Sequence, residues 1–389
     1  MMSLVRLLSY SIFIPVRLGN ICGELKNIEP VEELEEYFDK FFMKFFGIRV
    51  YQVRGAEVSP LKNFGVFNSL LILAMRSPLD SRYLYGCVVF NFDFGGDIYL
   101  KTFLGAFLES LRKFLDKIGD TIKKVLGADV ELGRYYSYLL ACEVGFDESD
   151  KNVNMDDQRK KENFLEYLPS MLFMSEHPLS DKGIVSRYNK TLDVSPWVDS
   201  MLFISERVAV AVNPMRSQVD LYRLIMAFLT AFEYLLLDVE GRFDGALRNR
   251  DLPMLRKLRV LVSSYISFVN FARRMSNEVY DLIFSEFLDR MEIDFLISLM
   301  RSRISDADAV ITQIEAELAQ QRSEFLNIVV GLLTIILSIP SCFQFLRGLG
   351  VSMLYSLIFS IIVGVMIIVF VMVRLRSIRT SSVKAEKYF

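Results

Sequence analysis

The segments Phe325–Phe345 (FLNIVVGLLTIILSIPSCFQF) and Val351–Val373 (VSMLYSLIFSIIVGVMIIVFVMV) decide the fold of this chain. Neither segment contains Asp, Glu, Lys, Arg or His, and each is long enough to supply the ~20 apolar residues that cross a hydrocarbon core. Only the residues LRGLG (346–350) separate them. Because backbone groups in lipid find no water to bond, both segments are predicted to be membrane helices joined in a tight hairpin.

Basic residues are distributed unequally around this hairpin. The turn carries only Arg347, whereas the tail after the second span is basic, with Arg374, Arg376, Arg379, Lys384 and Lys387. The positive-inside rule therefore predicts a multi-pass protein of the cell (inner or plasma) membrane, with both termini in the cytoplasm.

The segment before the first span has a coiled-coil-like pattern over residues 293–324. Apolar positions alternate at spacings of four and three, a 3.5-residue period that is typical of a helix packed along a seam. The seam residues are Met300, Ile304, Ala307, Ile311, Ile314, Leu318, Gln321, Phe325, Ile328 and Leu332. This stalk is predicted to continue unbroken into the first span. Its partner is either the same stalk of another copy or an upstream helix of its own chain, and the position next to a membrane favours a homo-oligomer.

A polar stripe runs beside the seam with similar spacing. It comprises Asp306, Gln313, Glu317, Gln320, Glu324, Asn327, Gly331, Thr334, Ser338 and Ser341. If several copies surround an axis, this face can line a water-filled path, and its oxygen groups suit hydrated cations. The pore-lining candidates are then Asn327, Gly331, Thr334, Ser338 and Ser341, and the acidic candidates of the stalk are Asp306, Glu317 and Glu324. The alternative is a solvated face below the membrane and a packing face of small residues within it.

The start of the first span resembles the corresponding helix of the CorA family of magnesium and divalent-cation channels. Members of that family commonly show Asn, then Met three residues later, then a Leu-Thr pair whose Thr lies seven beyond the Asn, then Pro. Here Asn327, Leu333 and Thr334 match, Val330 stands at the Met position, and Pro340 follows. The layout is also similar, with a cytoplasmic α/β domain, long helices, a stalk and two C-terminal spans.

The resemblance implies a channel for Mg²⁺ or another divalent cation in which five chains assemble and the first membrane helices line the pore. It also implies that the cytoplasmic domain controls the pore, with a small molecule or an ion as its regulator. The family's Gly-Met-Asn motif is absent, since residues 345–350 read FLRGLG. That departure favours a second interpretation, a membrane-anchored sensor or effector with a CorA-like frame that does not transport magnesium.

Composition excludes several other classes of function. The net charge of −2 gives no sign of a nucleic-acid partner. The four cysteines, Cys22, Cys87, Cys142 and Cys342, are scattered without metal-ligand spacing. The single histidine, His177, has no evident nucleophile or orienting acid beside it in the sequence, so we expect no enzyme. No cofactor is predicted apart from a divalent cation.

The rest of the chain divides by its patterns into an α/β domain (1–214) and a region of long packed helices (215–292). The stalk (293–324) and the hairpin with its basic tail (325–389) complete the chain. Strands are predicted near Ser9–Val16, Gly47–Glu57, Ser69–Arg76, Tyr83–Phe94 and Tyr135–Val144, and strands or short helices over Met201–Val212. Helices are predicted over Val31–Phe46, Ile98–Leu126, Gln218–Arg248 and Leu255–Asp289.

Three further sequence features could bind an ion or a phosphate group. The sequence Asp93-Phe-Gly-Gly-Asp97 favours a turn over a metal or phosphate loop. The polar segment from Asp147 to Asn163 only partly matches a calcium loop, because Met155 replaces the glycine that such a loop requires. A basic cluster around the junction of the two long helices is either a solvated corner or an anion contact. It comprises Arg242, Arg248, Arg250, Arg256, Lys257 and Arg259.

Overall fold

The computed structural model divides the chain into two compact units, Met1–Ala307 and Asp308–Phe389. The structure describes residues 4–19, 28–35, 46–53, 66–76, 83–94, 100–126, 130–145, 200–205, 207–273, 278–359, 361–366 and 369.

Nine strands of the described residues form one sheet in the first unit. They are β1 (Leu4–Leu18), β2 (Ile28–Pro30), β3 (Arg49–Val53), β4 (Val66–Arg76), β5 (Leu84–Asp93), β6 (Val130–Leu132), β7 (Ser137–Gly145), β8 (Met201–Ile204) and β9 (Val208–Val212). Eight of them follow the order β2-β3-β4-β5-β1-β7-β9-β8, and β6 pairs with β1. Among the described strands, only the β7–β9 pair is parallel. The predicted strands of the α/β domain are confirmed, and Met201–Val212 is a two-stranded hairpin.

The described helices are α1 (Glu32–Glu35), α2 (Leu100–Leu126), α3 (Arg216–Arg248), α4 (Leu252–Ala272), α5 (Glu278–Arg290), α6 (Ile293–Gly348) and α7 (Met353–Met366). The predictions for α2 and α3 are confirmed. Of the helix predicted over Val31–Phe46, residues 36–45 lie outside the described residues.

The prediction of one helix over Leu255–Asp289 is wrong. Helix α4 starts at the N-cap Asp251, whose carboxylate accepts a hydrogen bond from the Met254 amide at 3.1 Å. It ends at the C-cap Arg273, and α5 is a separate helix. The apolar periodicity therefore continued beyond the end of α4.

Strand β1 separates the two cores of the first unit because its successive side chains point to opposite faces of the sheet. Tyr10, Ile12 and Ile14 belong to a core that includes α2. The Tyr10 ring stacks on Phe92 at 4.6 Å, and Phe114 of α2 meets Phe92 edge-on at 5.8 Å. Helix α2 therefore covers this face of β1.

The opposite face of the sheet is covered by α3, which is buried along most of its length. Phe228 and Phe232 of α3 stack at 5.7 Å. Phe46 lies between them and α4, with its ring 4.6 Å from that of Phe268. In the first unit, α2 thus covers one face of the sheet, and on the other face α3 lies between the sheet and α4.

Helix α6 has 56 residues and continues through Pro340. This confirms the prediction that the stalk passes unbroken into the apolar segment. The seam changes character along the helix: Met300 and Ala307 are fully buried, whereas Leu318 is 43 % and Phe325 63 % exposed. The first turns of α6 are therefore packed within the first unit, and the later seam is uncovered in the single chain.

A tight turn follows α6. The Gly350 amide donates to the Arg347 carbonyl at 3.1 Å, and the Val351 amide donates to the Leu346 carbonyl at 3.3 Å. Gly350 has φ +81°, in the left-handed region where only glycine avoids a steric penalty. The apolar helix α7 follows. By length and composition, α6 is the one described helix that is long and apolar enough to cross a membrane. An 18-residue stretch of it, here called the apolar window, has a mean hydropathy of 2.2.

Candidate functional site

The pore-lining candidates all lie on α6 and share one face. At 100° per residue, Asn327, Gly331, Thr334, Ser338 and Ser341 fall within an arc of about 80°. Four of these side chains are exposed in the single chain, and Gly331 is half-exposed. The helix therefore carries a polar stripe along its apolar window.

The hydroxyl groups of the stripe bond to their own helix. Thr334 Oγ1 donates to the Val330 carbonyl, and Ser338 Oγ to the Ile335 carbonyl, each at 2.8 Å. These hydroxyl groups have hydrogen-bond acceptors within their own helix and need neither water nor another helix. The hydroxyls alone are therefore as compatible with a helix-packing face as with a water-filled ion path. The Asn327 amide differs, because no side-chain hydrogen bond joins it to another described residue, and an amide in an apolar window needs water or a partner.

The acidic candidates of the stalk divide into two groups. In the second unit, Gln313 Nε2 donates to Glu317 Oε1 and Gln320 Nε2 donates to Glu324 Oε1, both at 3.0 Å. These pairs repeat after seven residues and orient two carboxylates along the polar stripe. In the first unit, Asp306 lies 3.9 Å from an Arg303 guanidinium nitrogen. Asp306 therefore belongs to an ion-pair network of the folded domain.

Helix α7 packs on a different face of α6. A Cβ atom on Gly364 would lie 3.1 Å from Ile339 Cδ1, so the two helices approach closely at this point. Ile339 is twelve residues after Asn327, which places it about 120° away around the helix. The polar stripe is thus not the face of α6 that meets α7 at Gly364.

The domain contains a buried polar network that sequence reasoning missed. Arg223 of α3 donates through Nε to Ser11 Oγ at 2.9 Å and through Nη2 to Ser9 Oγ at 3.2 Å. Its Nη1 binds Asp220 Oδ1 at 2.9 Å. Ser11 donates in turn to Asn91 Oδ1 at 2.7 Å. Burial lowers the pKa of Arg223, against the opposing effect of Asp220.

A second network lies toward the other end of α3. Asp238 accepts hydrogen bonds from the Tyr85 hydroxyl at 2.5 Å and from Arg242 Nε at 2.7 Å, and Arg17 lies 3.5 Å away. Burial raises the pKa of Tyr85, and the hydrogen bond to Asp238 adds to that rise. Arg242 is therefore bound inside the domain, which corrects its assignment to the basic cluster. The other five basic residues of that cluster are exposed.

The only sequence signal for these networks is the pair Ser9 and Ser11 at alternate positions of an apolar strand. Alternation shows that the two hydroxyls share a face, but it does not give their partners on α3 and β5. The donors described above have acceptors within the domain, so we assign both networks to the attachment of α3 to the sheet.

The described residues provide no metal centre, since no group of three or more His, Cys, Asp or Glu side chains among them could hold an ion. Cys87 and Cys142 are free and buried, and burial raises the pKa of both thiols. His177, the Asp147–Asn163 segment and most of the Asp93–Asp97 sequence lie outside the described residues.

Comparison with protein-family models, with curated proteins and with solved structures finds no match for this chain.

Proposed function

We propose that this chain is a CorA-like oligomeric membrane protein that conducts cations along the polar stripe of α6. In this proposal α6 and α7 cross the cell membrane as a hairpin with both termini in the cytoplasm. Copies of α6 surround an axis toward which Asn327 and Thr334 point. The family resemblance makes the assembly a pentamer and the ion Mg²⁺ or another divalent cation.

The observation that carries the proposal is the position of the stripe on a continuous helix. Helix α6 begins in the packed core of the first unit, where Ile293 and Met300 are fully buried, and it continues through an apolar window in which the stripe is exposed. Polar groups in an apolar window cost free energy unless they meet water or each other. Facing the axis of an assembly removes that cost for the Asn327 amide.

The charges along the stripe favour cations. Glu317 and Glu324 precede the apolar window on the same face, and their glutamine partners hold them in place. In an assembly each position becomes a ring of carboxylates, which raises the local concentration of cations. Since the stalk extends from the folded domain, the domain can control the path when a small molecule or an ion binds to it.

Replacing Asn327 by leucine tests this function. Purified protein in liposomes should pass divalent cations, and Asn327→Leu should reduce the flux while expression and oligomer size stay unchanged. Val329→Leu is the matched control, because Val329 lies about 200° from Asn327 around the helix. A stable monomer in detergent, or equal effects of the two substitutions, would contradict the proposal.

The second candidate function is a membrane-anchored sensor or effector that does not transport magnesium. Two observations favour it: FLRGLG stands in place of the Gly-Met-Asn motif, and the Thr334 and Ser338 hydroxyls are satisfied by their own helix. This function takes first place if the purified protein passes no cation and Asn327→Leu changes only its stability.

A further inference from the structure

The polar stripe of α6 ends at an aromatic residue, Phe345. Phe345 lies eighteen residues after Asn327, and five full turns of an α-helix take about eighteen residues, so the two side chains project in the same direction. Phe345 also lies in line with Ser338 and Ser341, within about 40° of each. It is the last residue on this face before the turn that leads to α7.

Phe345 differs from the rest of the stripe in size and polarity. Within the apolar window, the preceding stripe residues are Asn327, a glycine and three small hydroxyl residues. Phe345 is 68 % exposed in the single chain. The contact that Gly364 of α7 makes with α6 lies at Ile339, about 120° from the Phe345 direction. The ring is therefore free to meet its counterparts in other copies.

We propose that the Phe345 side chains of the assembled copies form a hydrophobic gate at the end of the path that is distant from the stalk. This inference rests on the proposed function, because it requires the stripe to face a common axis. A ring of aromatic side chains offers a hydrated cation no oxygen ligand, and a narrow apolar constriction excludes water. The path then conducts only when the α6 helices move apart at Phe345.

The nearby charge does not form this barrier. Arg347 is exposed at the turn, but it lies about 200° from Asn327 around the helix, away from the stripe. Closure at this end is therefore steric and apolar, and it does not depend on repulsion between a cation and Arg347. Neutralising Arg347 should leave the closed state intact.

Phe345→Ala tests the gate by ion flux, with Phe343→Ala as the matched control. Phe343 is the same residue type two positions earlier, and it lies about 160° from the stripe. In liposomes, Phe345→Ala should raise the basal flux of Mg²⁺ about tenfold, which corresponds to lowering the barrier by about 1.4 kcal/mol. Phe343→Ala should leave the flux at the wild-type level. If the wild type conducts and the two variants pass equal flux, the gate is refuted and the channel proposal is not.

Cysteine cross-linking tests the position of the ring without any need for conduction. In a chain with Cys22 and Cys342 replaced by serine, Phe345→Cys should give disulfide-linked dimers in the membrane under oxidation, and Phe343→Cys should not. Absence of cross-links at position 345 overturns the gate. Cross-links at 345 together with no flux through any variant, Phe345→Ala included, overturn the channel proposal and with it the gating role.

Discussion

Replacing Gly364 of α7 by leucine tests whether α7 packs back along α6. The first added carbon would lie 3.1 Å from Ile339 Cδ1 and 3.8 Å from its Cγ1. Three more carbons must then fit where the first already compresses a neighbour, and such overpacking costs about 1–3 kcal/mol. The gain in helix propensity on removing a glycine offsets up to about 1 kcal/mol of this cost. We expect Gly364→Leu to lower the free energy of unfolding by about 1 kcal/mol.

A double-mutant cycle isolates the contact from the propensity effect. Ile339→Ala removes both atoms that Gly364→Leu meets. The overpacking cost should therefore be absent from the double variant, which gives a coupling energy of about 1–2 kcal/mol. The measurement is unfolding of the purified protein by SDS titration in mixed micelles, followed by circular dichroism. Val365→Leu, on the exposed side of α7 beside Gly364, is the control and should be neutral. A coupling energy within about 0.3 kcal/mol of zero would show that the helices do not meet at Ile339.

Three further predictions concern topology, the stalk and pH. A cysteine introduced at Gly348 should react with an impermeant reagent from outside the cell and one at Lys384 should not; the reverse pattern contradicts two cytoplasmic termini. Leu318→Asp puts a charge into the uncovered part of the seam, at a cost of several kcal/mol (about 3–5) if copies bury it there, so native mass should shift to smaller species. An unchanged mass refutes a self-associating stalk. Burial raises the pKa of Tyr222 to about 12. This contribution to stability is present below pH 10 and is lost as the pH rises toward 12. Stability measured by thermal unfolding should therefore fall between pH 8 and pH 11, and Tyr222→Phe should make that fall smaller by about 1 kcal/mol.

The elements that periodicity alone could predict are the ones with an unambiguous pattern. Helix α6 carries a 3.5-residue seam and then an apolar window, and both signals require the same helix, so its length of 56 residues agrees with the sequence. Strand β1 shows alternation at Tyr10, Ile12 and Ile14, which only a strand explains. These local patterns do not depend on the rest of the chain.

The features that the sequence could not provide depend on distant partners. Ser9 and its donor Arg223 are 214 positions apart, and Arg17 and Asp238 are 221 apart. No local spacing connects such residues. Strand β2 was missed because its three residues are too few for a period. The polar stripe lies between these cases: spacing gives its shared face, but the direction of that face depends on copies of the chain that one sequence does not specify.

Two residues of the seam lie across α6 from the Asn327 direction. Leu318 of the seam is about 180° from Asn327, and Ala307 about 160°. The seam side is the one that packs into the first unit, where Ala307 is fully buried and Arg303 binds Asp244 of α3 at 3.0 Å.

Arg303 also lies 3.9 Å from Glu240, so one guanidinium attaches α6 to two carboxylates of α3. Helix α3 is in turn attached to the sheet through Arg223 and Asp238. Under the proposed function, a ligand that shifts α3 against the sheet would therefore move Arg303.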